Sequence, residues 1–405
     1  MNRTLSRRAV LRATSQAASL GLLAGCSLAT SHAAISGSAA LLVPPAVHPA
    51  ARPPLAAPLQ ATLPIPDVPL DVKIGQMIMV GFRGRHLTNA SAIMRAIAEQ
   101  HIGSVVLFRY NVSTPDQVTA LTATLQSATA HPLLIAIDHE GGLVNRFVGN
   151  FGFTDNYSAQ ELGAQNDPTV TRRYSENIAT QLRRFGVNLN LAPVVDLNLN
   201  PYNPVIGGVW RSFSADPQIV VAQARAFIEG HHAHGALCTL KHFPGHGSSL
   251  ADSHLGFVDV TETWQERELA PYRTLIEAGL CDAVMTAHIF NSKLDATYPA
   301  TLSHAIITGI LREKLGYEGV VISDDMQMRA IAKEYDFEVA VQRAIEAGVD
   351  ILAIANNLAY REDLAVRTVT LIRTLVETGV ISAERIDQSY QRIMRLKARL
   401  QPSRA

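Results

Sequence analysis

Eight short apolar runs, separated by longer amphipathic segments, constrain this fold more than any other feature of the chain. They are QMIMVGF at 76–82, SVVLF at 104–108, LLIAI at 133–137, NLNLAP at 188–193, ALCTLKH at 236–242, AVMTAH at 283–288, GVVISDD at 319–325 and DILAIA at 350–355. They are brief, β-branched and lack apolar–polar alternation, as parallel strands buried on both faces do. The segments between them carry helix punctuation. Thr114 and Pro115 put a capping hydroxyl before a proline at the first helical position, and Gln117 completes a capping-box pattern. Asp167-Pro168 and Asp216-Pro217 repeat the signal. Gly348 closes VAVQRAIEAG, and Ile386, Tyr390 and Ile393 form one stripe of the last helix. Eight strands alternating with helices over residues 69–405 predict a single α/β domain, a (β/α)8 TIM-like barrel. The alternative, an open doubly wound sheet, calls for a glycine-rich phosphate turn after an early strand, and no G-x-G-x-x-G is present.

The chain before residue 69 departs from this pattern. Residues 1–33 have the layout of an export signal: a basic start, a short uncharged stretch (SQAASLGLLAGC) and small residues. Adjacent Arg7 and Arg8 fit the twin-arginine variant. LAGC at 23–26 resembles a bacterial lipobox, which implies cleavage before Cys26 and lipidation of its sulfur. The other reading is an ordinary signal cut after SHA, at Ala33. Residues 34–68 are rich in Ala and Pro and form an extended tether without a core of its own. An exported protein is expected, in the cell envelope or outside the cell, meeting a membrane only through a lipid anchor.

Composition removes several classes. Lys plus Arg and Asp plus Glu each number 35, so the formal charge is zero, without the basic excess of a nucleic-acid binder. Three cysteines are too few for a disulfide scaffold. Cys238 and Cys281 lie in apolar runs and read as buried thiols.

The chemistry-bearing residues cluster just after the apolar runs. LLIAI leads into Asp138-His139-Glu140, NLNLAP into Asp196, ALCTL into Lys241-His242, AVMTA into His288, and GVVIS into Asp324-Asp325. In a barrel these strand ends line one polar pocket. A metal site is a weak fit. No H-E-x-x-H or cysteine pair with ligand spacing is present, and Lys241 would set a positive charge beside the cation. No metal and no cofactor is expected. Glycosidic bond cleavage fits better, since it needs a group to attack or stabilise an oxocarbenium-like carbon and an acid for the leaving oxygen. Asp324, at the end of a buried strand, suits the first task. Asp252 and His254 suit the second: a carboxylate two residues before an imidazole can hold one ring nitrogen and leave the other to exchange protons.

At this point the motifs resemble glycoside hydrolase family 3, in its single-barrel bacterial β-N-acetylglucosaminidase branch. They are KIGQMIMVGF, IDHEGGLVNRF, NLNLAPVVDLN, WRSF, KHFPGHGSSLADSHLGF, VMTAHI, PATLS and VVISDDMQM, in order over about residues 70–355. The resemblance implies that Asp324 is the nucleophile of a covalent glycosyl-enzyme and that His254 is the general acid/base, held by Asp252. It also implies that Asp138, Arg146, Arg211, Lys241 and His242 bind sugar hydroxyls. Asp325 is the competing nucleophile, although successive strand residues point to opposite sides. The implied activity is a retaining exo-β-N-acetylhexosaminidase. The implied partner is a β-N-acetylglucosaminide or muropeptide-type sugar from peptidoglycan, and a monomer is expected. A β-glucosidase of the same mechanism and a non-catalytic sugar-binding lipoprotein are the alternatives. His139, Leu143 and Gly247–Ser249 depart from the usual D-Q-E-G-G, arginine and G-D-T, which leaves the aglycone side open. His231, His232 and His234 end a helix and are expected to interact with its C-terminal dipole.

Overall fold

All eight apolar runs become strands in the computed structural model, which describes residues 68–400 apart from 148, 150 and 358. The export signal, Cys26 and the tether up to residue 67 lie outside the described residues. The strands are β1 (Ile78–Gly81), β2 (Ser104–Leu107), β3 (Leu134–Ile137), β4 (Leu189–Asn190), β5 (Leu237–Phe243), β6 (Ala283–Thr286), β7 (Val320–Ile322) and β8 (Leu352–Ile354). Every strand residue is buried, which is why the runs do not alternate.

The strands pair in parallel and in chain order, and β1 also pairs with β8. The ring is completed between β7 and β8. There Val321 O accepts from Ile351 N at 3.0 Å, and Ser323 N donates to Ile351 O at 2.9 Å. The result is the (β/α)8 barrel expected from the alternation. Met79, Val106, Leu191, Met285 and Ala353, from or beside five strands, form an apolar floor beneath its C-terminal mouth.

β4 is much shorter than its apolar run, because asparagine side chains take over part of the ladder. Asn188 accepts from Ile135 N and donates to Leu133 O, both at 2.8 Å. Asn190 accepts from His139 N at 3.0 Å and donates to His139 O at 2.9 Å. A side-chain amide thus pairs backbone groups that would otherwise be buried alone.

Helix starts follow the sequence signals. Thr114, Asp167 and Asp216 accept from Gln117 N, Thr169 N and Gln218 N, each before a proline. Gln117 departs from the capping-box pattern. Its Oε1 accepts from Ser113 N at 2.9 Å rather than from the cap's own amide, and its Nε2 donates to Arg85 O at 2.7 Å. It therefore ties the helix to the loop after β1. Gly348 ends its helix at φ +119°, and Ile386, Tyr390 and Ile393 are buried together on the last helix.

The helix-end histidines correct the dipole expectation. His231 is fully buried between Ser175 Oγ, at 2.7 Å, and Asn190 Nδ2, at 3.0 Å. Burial pushes its pKa down to about 3, so it offers no charge to the helix end. His232 contacts the Asp282 carboxylate at 2.8 Å, and His234 contacts Thr180 Oγ1 at 3.2 Å. Specific side-chain partners occupy these rings.

Candidate active site

A cavity of about 280 Å³ opens over the C-terminal ends of the strands. Asp138, Glu140, Arg146, Arg211, Lys241, His242, His254, Asp324 and Asp325 all line it. A larger groove of about 790 Å³ lies between the helix starts at Pro168 and Pro217 and contains none of these residues.

The wall after β3 is built by alternation. Asp138 and Glu140, two residues apart, face the cavity, and His139 between them turns away. His139 stacks on Phe153 at 4.5 Å between ring centroids, and burial lowers its pKa to about 3. Gly141 and Gly142, at φ +94° and +55°, then turn the chain back on itself. A Cβ on Gly141 would lie 2.2 Å from Tyr157 O, so only glycine fits there.

Lys241 connects the two carboxylates. Its Nζ lies 2.9 Å from Asp138 Oδ1 and 2.6 Å from Glu140 Oε1. Arg146 donates to Asp138 Oδ2 at 3.0 Å. Arg211 holds Glu140 with two bonds of 2.8 Å. Burial alone would raise the pKa of both acids, but their cations overrule it. Lys241 and Arg146 hold Asp138 well below the carboxylate range, and Arg211 and Lys241 bring Glu140 down to about 2.

Lys241 and His242 are consecutive, joined by a cis peptide bond, and both line the cavity. His242 Nδ1 meets Asp196 Oδ2 at 2.7 Å, and its Nε2 meets Arg211 at 3.3 Å. A guanidinium can only donate, so Nε2 accepts and Nδ1 carries the proton. Asp196 also accepts from His242 N at 3.1 Å and His246 N at 2.8 Å. It therefore fixes the start of the KHFPGHG loop.

Asp324 and Asp325 both line the cavity, contrary to the simple alternation of strand residues, because the chain leaves β7 at Ile322 and turns. Their environments still separate them. Asp325 Oδ1 accepts from Ala355 N at 2.9 Å and Gln327 N at 3.1 Å. Burial raises its pKa to about 6. At Asp324 burial is outweighed by His288 and His242, with the Asp325 amide adding a bond, and the pKa falls. Asp324 is thus the more acidic of the two, and Asp325 ties β7 to β8. His288 is wedged between Thr301 Oγ1 at 2.8 Å and Asp325 O at 2.9 Å.

Facing this rigid floor is the Gly247–Gly256 loop. Gly247 packs so closely that a Cβ would lie 1.7 Å from Leu197 O. His246 is buried between Ser249 Oγ at 2.7 Å and Ser253 Oγ at 3.2 Å. Beyond them Asp252 Oδ1 accepts from both His254 N and His254 Nδ1, each at 2.8 Å. Among the described residues, His254 Nε2 is left without a hydrogen-bond partner. The carboxylate–imidazole pair expected from the sequence is formed.

Glu140, which lines the cavity, and Asp196, which holds His242, are residues that sequence reasoning left without a role. Glu140 carried a signal, since two-residue spacing from Asp138 at a strand end puts both on one side. For Asp196 the charge after an apolar run was visible, but not its partner. Of the sequence departures, His139 faces an aromatic cluster and Leu143 is exposed, and neither lines the cavity.

The profile of the glycosyl hydrolase family 3 N terminal domain matches residues 69–396. A β-hexosaminidase of Tolumonas auensis is 39% identical over 261 residues, 64% of this chain and 77% of that protein. A glycoside hydrolase family 3 β-N-acetylglucosaminidase structure from a Paenibacillus species superposes with TM-score 0.77 at 38% identity. It covers 82% of this chain, which spans only 63% of that one. The β-N-acetylhexosaminidase of Beutenbergia cavernae superposes with TM-score 0.76 at 30% identity, over 82% of this chain and 99% of that one. The chain belongs to glycosyl hydrolase family 3.

Proposed function

We propose that the protein is an exported, retaining exo-β-N-acetylhexosaminidase that removes terminal β-linked N-acetylglucosamine, with peptidoglycan fragments as its source. The observation that carries this reading is the pairing of Asp324, held ionised, with His254, held by Asp252, on one cavity. Asp324 attacks the anomeric carbon while His254 Nε2–H protonates the departing oxygen. A covalent glycosyl-aspartate results. The leaving sugar is replaced by water, His254 takes the water's proton, and attack releases Asp324. Two inversions at one carbon retain its configuration. Asp138, Arg146, Arg211, Lys241 and His242 bind the ring hydroxyls, because a charged wall of fixed donors and acceptors orients a sugar without moving. Similarity to the Tolumonas and Beutenbergia proteins supports the N-acetylhexosaminide specificity. The export-like start, with its lipobox-like LAGC at Cys26, supports an envelope substrate.

Turnover of chromogenic β-N-acetylglucosaminides and β-glucosides tests the specificity, and equal rates on the two sugars would end the acetamido claim. A slow fluorinated glycoside followed by peptide mass spectrometry tests the mechanism. The adduct is expected on Asp324, and an adduct on Asp325 would overturn the assignment.

A further inference from the structure

Beside the catalytic cavity lies a second pocket of about 430 Å³, lined by Arg85, Arg109, Tyr110, Arg146 and their neighbours. Arg146 lines both, so one side chain forms the shared wall. Among the described residues no carboxylate lines this pocket. Arg146 is paired with Asp138 across the wall, but among the described residues neither Arg85 nor Arg109 has an acidic partner within ion-pair distance. Arg85 spends its Nε on Tyr110 O at 3.1 Å. Arg83, stacked 4.2 Å above the Tyr110 ring, adds another cation with no acidic partner among the described residues. In a chain with equal numbers of acidic and basic residues, this is a local excess of positive charge at the mouth of the site.

Two polar atoms of the pocket walls are also left over. Tyr110 Oη and Arg146 Nε are buried and, among the described residues, have no hydrogen-bond partner. Buried donors are almost always paired, so orphans beside a pocket need a reason. Both are donors, and turning either toward a ligand breaks no existing bond at that atom. Burial keeps Tyr110 protonated, its pKa pushed up to about 12. The pocket therefore offers guanidinium groups and a phenol, a set that matches an anion.

We propose that Arg85, Arg109, Tyr110 and Arg146 form a subsite for an anionic substituent of the substrate, next to the ring-binding cavity. The inference rests on the glycosidase reading above and adds the charge of the substrate to it. Carboxylate, sulfate and phosphate share the needed chemistry, and the substituent can sit on the leaving group or on the ring itself.

Two matched substrate pairs test this. One is the N-acetylglucosaminide of 4-hydroxybenzoate against that of its methyl ester. The other is 4-methylumbelliferyl N-acetylglucosaminide 6-sulfate against the unsulfated compound. The charged member of one pair is expected to have kcat/KM raised on the order of tenfold relative to its partner at low salt. That ratio should collapse toward the Arg85→Ala/Arg109→Ala value as salt is added. The pair that responds tells which end of the substrate carries the charge. Ratios that are the same in wild type and double variant for both pairs would overturn the subsite. No turnover of any of the four compounds would overturn the parent reading, and this one with it.

Discussion

The Lys241 side chain is 2% exposed and touches two carboxylates, whereas that of His254 is 57% exposed and touches one. Lys241 belongs to a strand and to a network spanning β3, β5 and the segment carrying Arg211. His254 belongs to a loop held by serines, a buried histidine and one aspartate. The difference follows from the tasks proposed for them. Sugar recognition needs charges that are already in place and poorly screened, which burial supplies. Proton exchange with a leaving group and then with water needs a ring reachable from both. The fixed wall is therefore stabilised by mutual pairing, and the acid/base by a single carboxylate that sets its tautomer.

The comparison can be broken most severely at Asp324, the fixed group proposed to react. Asp324→Ala is expected to lower kcat by about 10^4-fold or more on an N-acetylglucosaminide, because a missing nucleophile removes the covalent path. Retained activity would end the scheme. Lys241→Met tests the fixed wall itself. It leaves Asp138 and Glu140 buried with one cation fewer, and urea unfolding should show a loss of about 3–5 kcal/mol. An unchanged midpoint would mean the network is not structural.

His254→Ala should behave in the opposite way. Stability should change by less than about 0.5 kcal/mol, while kcat falls about 10^2- to 10^3-fold, least with the most acidic leaving groups. A stability loss like that of Lys241→Met would erase the contrast. Asp252→Asn should cost about 10- to 100-fold in kcat by loosening the ring and its tautomer.

The smallest effect sharpens the loop side. Glu268 is buried under Gly245, with Oε1 accepting from Gln265 N at 3.2 Å. Burial raises its pKa from 4.5 to about 7. Between those values the unfolded chain has lost this proton and the folded chain keeps it. Folded stability from this group is therefore full below pH 4.5, declines as pH rises through the window and levels off once pH passes about 7. Glu268→Gln should flatten that decline in unfolding curves measured across the window.

Much of the barrel was legible in the chain because its signals are local. A β-branched run, a Thr-Pro cap or a terminal glycine acts over a few residues, and each was found where expected. Asp252 and His254 were legible for the same reason, being two residues apart on one loop. The length of β4 was not, because Asn188 and Asn190 bond to segments more than fifty residues away. Nor was the opposite orientation of His139 and Glu140 given meaning until Phe153 was seen to take one and Arg211 the other.

By itself, then, the sequence determined the strand and helix alternation, the polar strand ends and the His–Asp pair, since short-range sterics and hydrogen bonds decide these. Only the tertiary structure decided which charges meet. Lys241 reaches Asp138 across 103 residues, and Asp325 takes backbone amides while nearby histidines lower the pKa of Asp324. Closure of the ring sets those distances, and the energy of a buried charge depends on them.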